Sequence, residues 1–372
     1  VSDGGNGPGA YQGGGGSGGG VLINVYTLAG SGTISAKGGA GSTYWAAGGG
    51  GGRIAIYYDT LTLPTTNIIA SGGKGAGNGS TAAYNGGAGT VYLKERADNF
   101  GDLIVDNGGI STTGATPVPG NTFASLDVKG GAKIALAGDL TTIAGNLTLT
   151  GSTLTVSGAV SVTGNLVLQN SSVLSHTGAT TTGQYRLDVQ AAGITVDSTS
   201  KIDVTGKGYL GGWQSGNSNN NGMTRDPATG LPTTTGGSAY QNGGSHGGLG
   251  GFNGGAVVNA VYGDLMNPDD PGSGGGGNSS SWPGGNGGGL VRITAGALTV
   301  DGSIVSDGGN GPGTYHGGGG SGGGVLINVY NLAGSGTISA KGGAGSTYYS
   351  SGGGGGRIAI YYDTLTLPTA NI

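Results

Sequence analysis

Short runs along this chain alternate apolar and polar residues with a period of two. Val21, Ile23 and Val25 do so in "VLINVY", and Ile54 and Ile56 in "RIAIYY". "TVYLK" and "LVRITA" follow the same habit. A two-residue period places alternate side chains on opposite faces of a strand. No stretch of useful length carries the 3.6-residue apolar period of a helix. The density of Gly, Pro, Asn and Thr also opposes helix throughout. The pattern predicts an all-β chain of short strands joined by turns.

The strands recur on two scales. Residues 1–68 repeat at 305–372, an offset of 304, and only seven positions differ. These are Ala10/Thr314, Gln12/His316, Thr27/Asn331, Trp45/Tyr349, Ala46/Ser350, Ala47/Ser351 and Thr66/Ala370. There is no initiator Met, signal peptide or closing cap, so the chain reads as a window cut from a longer tandem array. Inside the block, "SDGG" at 2–5, "AKGG" at 36–39 and "ASGG" at 70–73 are spaced by 34 residues, and "DNGG" at 106–109 follows after 36. "SGTISA", "TNIIAS", "GDLIVD" and "DGSIVS" each precede a double glycine, and a glycine-rich excursion and a further strand follow it. The equivalence predicts Val21, Ile54 and Val91 in register on one core face.

Residues 121–205 are written differently. "GNLTLTGSTLTVSG" begins at Gly145 and "GNLVLQNSSVLSHTG" at Gly164, an offset of 19. Coils of roughly 20 residues made of short strands and single turns are the habit of a parallel β-helix, a solenoid whose rungs stack. Leu147, Leu149, Leu154, Val156, Leu166, Leu168, Val173 and Leu174 form the expected inward stack, with Thr and Ser facing water. The expected organisation is glycine-rich solenoid units over 1–120, compact β-helix rungs over 121–208 and a long Gly/Asn/Pro-rich insertion over 209–287. Residues 288–304 return to the solenoid, and 305–372 open the next repeat.

Glycine is 95 of 372 residues, against a usual share of roughly 7%. The Gly-X-Y period of collagen is absent. Apolar runs between the glycines can offset ordering entropy, which a Gly/Ser linker cannot. Two roles then compete for the glycine-rich corner loops. They are frayed, or they are glycine because backbones approach closely or take positive φ. Tyr11, Tyr44, Trp45, Tyr84, Tyr315, Tyr348 and Tyr349 recur at matching places, as an ordered loop would need. Side-by-side polyglycine-like segments, bonded backbone to backbone, are the extreme form of that second role.

Charge removes several functions. With 14 basic and 18 acidic residues and a net charge of −4, no basic stripe is present and nucleic acid is a poor partner. No apolar run approaches 18 residues, so no membrane span is expected. Cysteine is absent, which excludes thiol catalysis and disulfides.

The texts "GGGGSGGGVLIN", "LAGSGTISAKGGAG", "YGDLMNPDDPGSGGGG" and "GGNGGGLVRITAGALTVDGSI" resemble glycine-rich tandem repeats of giant secreted or surface proteins of environmental bacteria. Residues 121–205 are similar to haemagglutinin-type and adhesin-type β-helices. The resemblance implies an extracellular β-solenoid and brings no catalytic motif with it.

Candidate chemistry is sparse. His176 is placed in a turn, His246 among glycines, and His316 is Gln12 in the other copy; no metal-binding spacing joins them. Asp264, Asp269 and Asp270 in "YGDLMNPDDPG", with Asp226, are the calcium candidates, although turn chemistry also explains them. No other cofactor is expected. Arg53, Arg292, Arg357, Lys37 and Lys74 stand one per unit without repeated acidic partners, as solvation and edge protection require. A carbohydrate-cleaving site is therefore not expected. Tyr44, Trp45, Trp213 and Trp282, with Tyr209, Tyr240 and Tyr262, could stack on glycans or cover glycine backbone. The expected function is a structural, non-enzymatic segment of an extracellular or cell-surface filament whose partners are further copies of itself, end to end. The alternative is an adhesin that binds glycans or surfaces through 209–287.

Overall fold

The computed structural model describes residues 1–9, 11–76, 81–254 and 257–372; Ala10, one of the seven differing positions, lies outside them. The chain is all-β, and its sheets are mostly parallel. Helix among the described residues is confined to 3-10 turns at Thr65–Asn67, Ala82–Tyr84 and Thr369–Asn371. Two compact units divide the chain. One comprises Val1–Thr155 and Ser161–Leu174, the other Val156–Val160 and Ser175–Ile372.

In the first unit, Gly20–Asn24, Arg53–Tyr58 and Thr90–Glu95 pair in parallel. Val21 stands opposite Ile54 and Ile54 opposite Val91, as the equivalence predicts. Ile23, Ile56 and Leu93 form the next row. Further along, Leu103, Leu126, Leu147 and Leu166 stand in register, as do Val105, Val128, Leu149 and Leu168. Each of these eight is buried. Leu154, Val156 and Leu174 are buried as expected, but Val173 is only half-buried. Leu174 takes the inward place, because Asn170 and Ser171 both adopt positive φ and set the phase of the strand that follows.

Two expectations fail here. "GDLIVD" is not a fourth equivalent of the double-glycine strands. Asp102–Asp106 turns back on Thr90–Glu95 as an antiparallel hairpin, with Val91 opposite Ile104. Only six residues separate the two strands, and a parallel crossover needs about a dozen or more. Serines between the leucines do not all face water either. Ser152 and Ser172 are buried; Ser152 Oγ donates to Val128 O at 2.8 Å and Ser172 Oγ to Gln169 O at 2.7 Å. Asn107 is also fully buried. It accepts from Gly72 N–H at 2.8 Å and donates to Gly86 O at 3.2 Å.

The second unit repeats the arrangement. Leu187, Val291, Val325 and Ile358 stand in register, and Val189, Ile293, Ile327 and Ile360 form the next row. Ile202, Ile304 and Ile338 align across a smaller parallel sheet. Thr224–Arg225 and Pro232–Thr233 form a short antiparallel pair in the insertion.

The glycine segments carry no ladder of their own but are hydrogen-bonded across. N–H donors recur every third residue: Gly4 and Gly7 bond Lys37 O and Ala40 O, while Gly15 and Gly18 bond Ala47 O and Gly50 O. Gly38 and Gly41 bond Ser71 O and Lys74 O. A second chain of bonds runs crosswise, from Gly16 to Gly5 O, Gly39 to Gly16 O, Gly49 to Gly39 O and Gly73 to Gly49 O. None of these donors has a positive φ. Close approach is what requires glycine: a Cβ on Gly49 would lie 1.9 Å from Gly16 O, and one on Gly73 1.9 Å from Gly39 O. In the first unit the third position of the turn is open, whereas in the second the matching Gly318 and Gly354 are closed by the insertion, with Asn242 O and Gly248 O each 2.1 Å from a Cβ. A Cβ on Gly14 would meet nothing nearer than 3.7 Å and one on Gly50 nothing nearer than 3.9 Å. Ser17, Ala47 and Arg53 occupy that same row, three residues away from Gly14 or Gly50.

Candidate functional site

The two copies of the repeated text share their local geometry. Asp3 Oδ1 accepts from Ser35 Oγ at 2.5 Å and Lys37 N at 2.7 Å; Asp307 Oδ1 accepts from Ser339 Oγ and Lys341 N at the same distances. Gly320, Gly343 and Gly353 bond Gly309 O, Gly320 O and Gly343 O, repeating Gly16, Gly39 and Gly49. Their surroundings differ. Gly324–Ala333 lies between Leu290–Val300 and Arg357–Tyr361, which leaves Val325 and Ile327 fully buried. Gly20–Asn24 is paired only with Arg53–Tyr58, so Val21 and Ile23 are half-exposed and Leu22 is 73% exposed. One sequence therefore exists once as a covered strand and once as an edge.

The loop tips are aromatic. Tyr11 stacks on Tyr44 with ring centroids 5.2 Å apart, and Tyr315 stacks on Tyr348 at 5.3 Å. The residue after each tyrosine takes positive φ: Gln12, Trp45, His316 and Tyr349. Gln12, Trp45 and Tyr349 are exposed, while His316 is half-buried. Trp45 is 57% exposed. His316 stacks on Tyr349 at 5.4 Å and meets the Trp282 ring edge-on at 5.0 Å. Trp213 and Tyr240 also have positive φ; Trp213 Nε1 donates to Asn220 Oδ1 at 2.5 Å.

The insertion places its other candidates inside. Tyr209 is fully buried and donates to Gln184 Oε1 at 2.5 Å; Tyr262 donates to Pro271 O at 2.6 Å. Both belong to a small core with Leu210 and Met223 rather than to a sugar platform. Burial pushes both phenols up. His176 ends a strand, not a turn, because the backbone of Val173–His176 stays extended. It is fully buried, and its Nε2 accepts from Leu290 N–H at 3.2 Å. His246 is equally buried, its Nδ1 lies 3.1 Å from Gly322 O, and its ring packs 4.8 Å from Tyr262. Burial lowers both imidazoles to about 4.

The calcium candidates do not converge. Asp264 accepts from Met266 N and Asn267 N, and Asp226 from Ala228 N and Thr229 N, two turn caps whose backbone bonds lower each carboxyl. Asp270 lies 2.9 Å from Arg225 Nε, and desolvation raises it despite that partner. Asp269 is exposed. Among the described residues no three His, Cys, Asp or Glu group as a metal would need. Two cations have a use the sequence did not suggest. Arg292 donates to Asn267 Oδ1 at 3.2 Å and Arg357 to Tyr262 O at 3.0 Å, holding the insertion to the sheet.

One constellation had no sequence signal at all. Arg96 follows the Thr90–Glu95 strand, and its guanidinium carbon lies 4.7 Å over the Tyr26 ring. Its nitrogens reach Asn24 Oδ1 at 2.5 Å and Asp59 Oδ1 at 3.0 Å. No family model, curated protein or solved structure matches this chain.

Proposed function

We propose that the chain is a structural, non-catalytic segment of an extracellular bacterial filament or giant surface protein. Its parallel strands are coils of a β-solenoid, and its glycine segments are polyglycine-like helices of three residues per turn, packed side by side at the corners. Blocks of 304 residues stack in tandem, and further copies are the partners. The observation that carries this reading is the pair of environments found for one text. Gly324–Ala333 is covered on both sides, whereas the same sequence at Gly20–Asn24 offers an edge. Unpaired N–H and C=O groups on an apolar edge invite another strand. In the second copy that neighbour is Leu290–Val300, so the edge fits the end of a preceding block. Light scattering and electron microscopy of the 372-residue chain test this. End-to-end association that grows with concentration is expected; a stable monomer over the whole range overturns it.

A second reading, adhesion through 209–287, is favoured by the apolar side chains that this insertion exposes. Leu249, Phe252, Val257, Leu265 and Met266 are each 64–72% exposed. Binding to glycans or hydrophobic surfaces that disappears when the insertion is replaced would support it.

A further inference from the structure

The Arg96 clamp in the first copy serves as a template for the second. Asn24, Tyr26 and Asp59 hold the guanidinium by a hydrogen bond, a ring face and an ion pair. Their counterparts are Asn328, Tyr330 and Asp363, in stretches where the two copies differ only at Thr27/Asn331. Among the described residues no arginine lies over Tyr330. Instead these three residues line an open groove of about 500 Å³, with Tyr361 on the same wall. Gln190 and Thr294 continue the row from Asn328 in strict register and add an amide and a hydroxyl to its floor.

We infer that this groove is a guanidinium-binding site, and that its occupant is an arginine carried just beyond a strand of the Thr90–Glu95 type. The chemistry is specific to that group. A flat, delocalised cation can lie on a tyrosine face while its edge nitrogens reach a carboxylate and an amide oxygen in one plane. A lysine ammonium is a point charge without a planar fork, so it cannot lie flat on the ring while reaching both oxygens in that plane. The site therefore reads the identity of the next coil: a strand of correct sequence and register delivers its arginine, and a strand shifted by one residue points it to the other face. The source of the arginine rests on the stacked reading above; the guanidinium preference of the groove does not.

The test uses the whole 372-residue chain with carbon-13-labelled tyrosines. Acetyl-arginine amide and acetyl-lysine amide are titrated while the Tyr330 ring signal, assigned with Y330F, is followed. The arginine probe should bind roughly tenfold more tightly than the lysine probe, as an ion pair and a cation–π contact together allow. Tyr26, already covered by Arg96, should not respond. D363N and N328A, both at the surface, should each weaken binding severalfold with an unchanged circular dichroism spectrum. A labelled peptide of residues 88–100 should bind with the same preference over its R96Q version. Equal binding of the arginine and lysine probes, or of the two peptides, overturns the site. A chain that stays monomeric yet prefers arginine keeps the site and sinks the stack. One that associates without an arginine preference does the reverse.

Discussion

Gly49→Ala and Gly50→Ala place the same methyl group on neighbouring residues with opposite consequences. At Gly49 the Cβ would lie 1.9 Å from Gly16 O and 2.4 Å from Gly16 C. Both are backbone atoms, and Gly16 N–H is itself bonded to Gly5 O, so no side chain can rotate away. Overpacking a rigid site costs about 3 kcal/mol at the upper end of its usual range. At Gly50 the nearest atom is Gly87 O at 3.9 Å, an ordinary contact. Neither residue has a positive φ, so both alanines share the gain of about 0.4–1 kcal/mol from a stiffer unfolded chain. That gain cancels in the comparison and leaves about 3 kcal/mol between the variants, or roughly 6–12 °C in melting temperature for a unit of this size. Thermal unfolding followed by near-ultraviolet circular dichroism measures the difference. Amide exchange should show the amides at positions 39, 49 and 73 losing protection only in G49A. Melting temperatures that agree within about 1 °C would refute the close-packed account and restore frayed loops.

Ile327→Ala should cost about 2–5 kcal/mol in urea unfolding, because the side chain is fully buried; Ile23→Ala, on the edge copy, should cost less than about 1 kcal/mol until the chain associates. Acid should destabilise the second unit. His176 and His246 have folded pKa values of about 4 against 6.5 unfolded, so the unfolded chain binds more protons in between. Stability is then complete above pH 6.5 and falls toward pH 4 by roughly 3 kcal/mol per histidine; H176Q and H246Q should each flatten that slope in denaturant titrations at pH 7 and 4.5. Asn107→Ala should cost about 1–3 kcal/mol and leave the Gly72 amide fast to exchange, since Asn107 is its acceptor.

The strands were legible because burial on one face leaves a two-residue rhythm. The register of Val21, Ile54 and Val91 followed from the repeat alone. The hairpin at Asp102 was hidden because "GDLIVD" has the composition of a parallel strand, and only the six residues before it give its direction away. The tyrosines of the insertion gave no clue to burial, since Tyr209 and a surface tyrosine are spelled alike. Arg96 stands outside the repeated 68 residues and had no counterpart for comparison, while its partners Asn24 and Tyr26 lie in one run and Asp59 in another, far from it in sequence. What periodicity encodes is the pleat; what it omits is which loop folds back over it.

The three-residue step of the glycine segments also governs how this protein can change over time. Any missense substitution of a glycine supplies a residue with a Cβ. In two of every three positions that atom lands on a neighbouring carbonyl, as at Gly49 and Gly73; in the third it points to solvent in the first unit, where Ser17, Ala47 and Arg53 already stand, but not where the insertion covers the row, as at Gly318, Gly354 and the buried Ser321. Drift and selection can therefore decorate an uncovered corner along one row while the rest stays frozen. A family of such proteins would vary in surface chemistry and keep its closely packed rows in glycine, so that new adhesive or charged faces arise without any redesign of the stack.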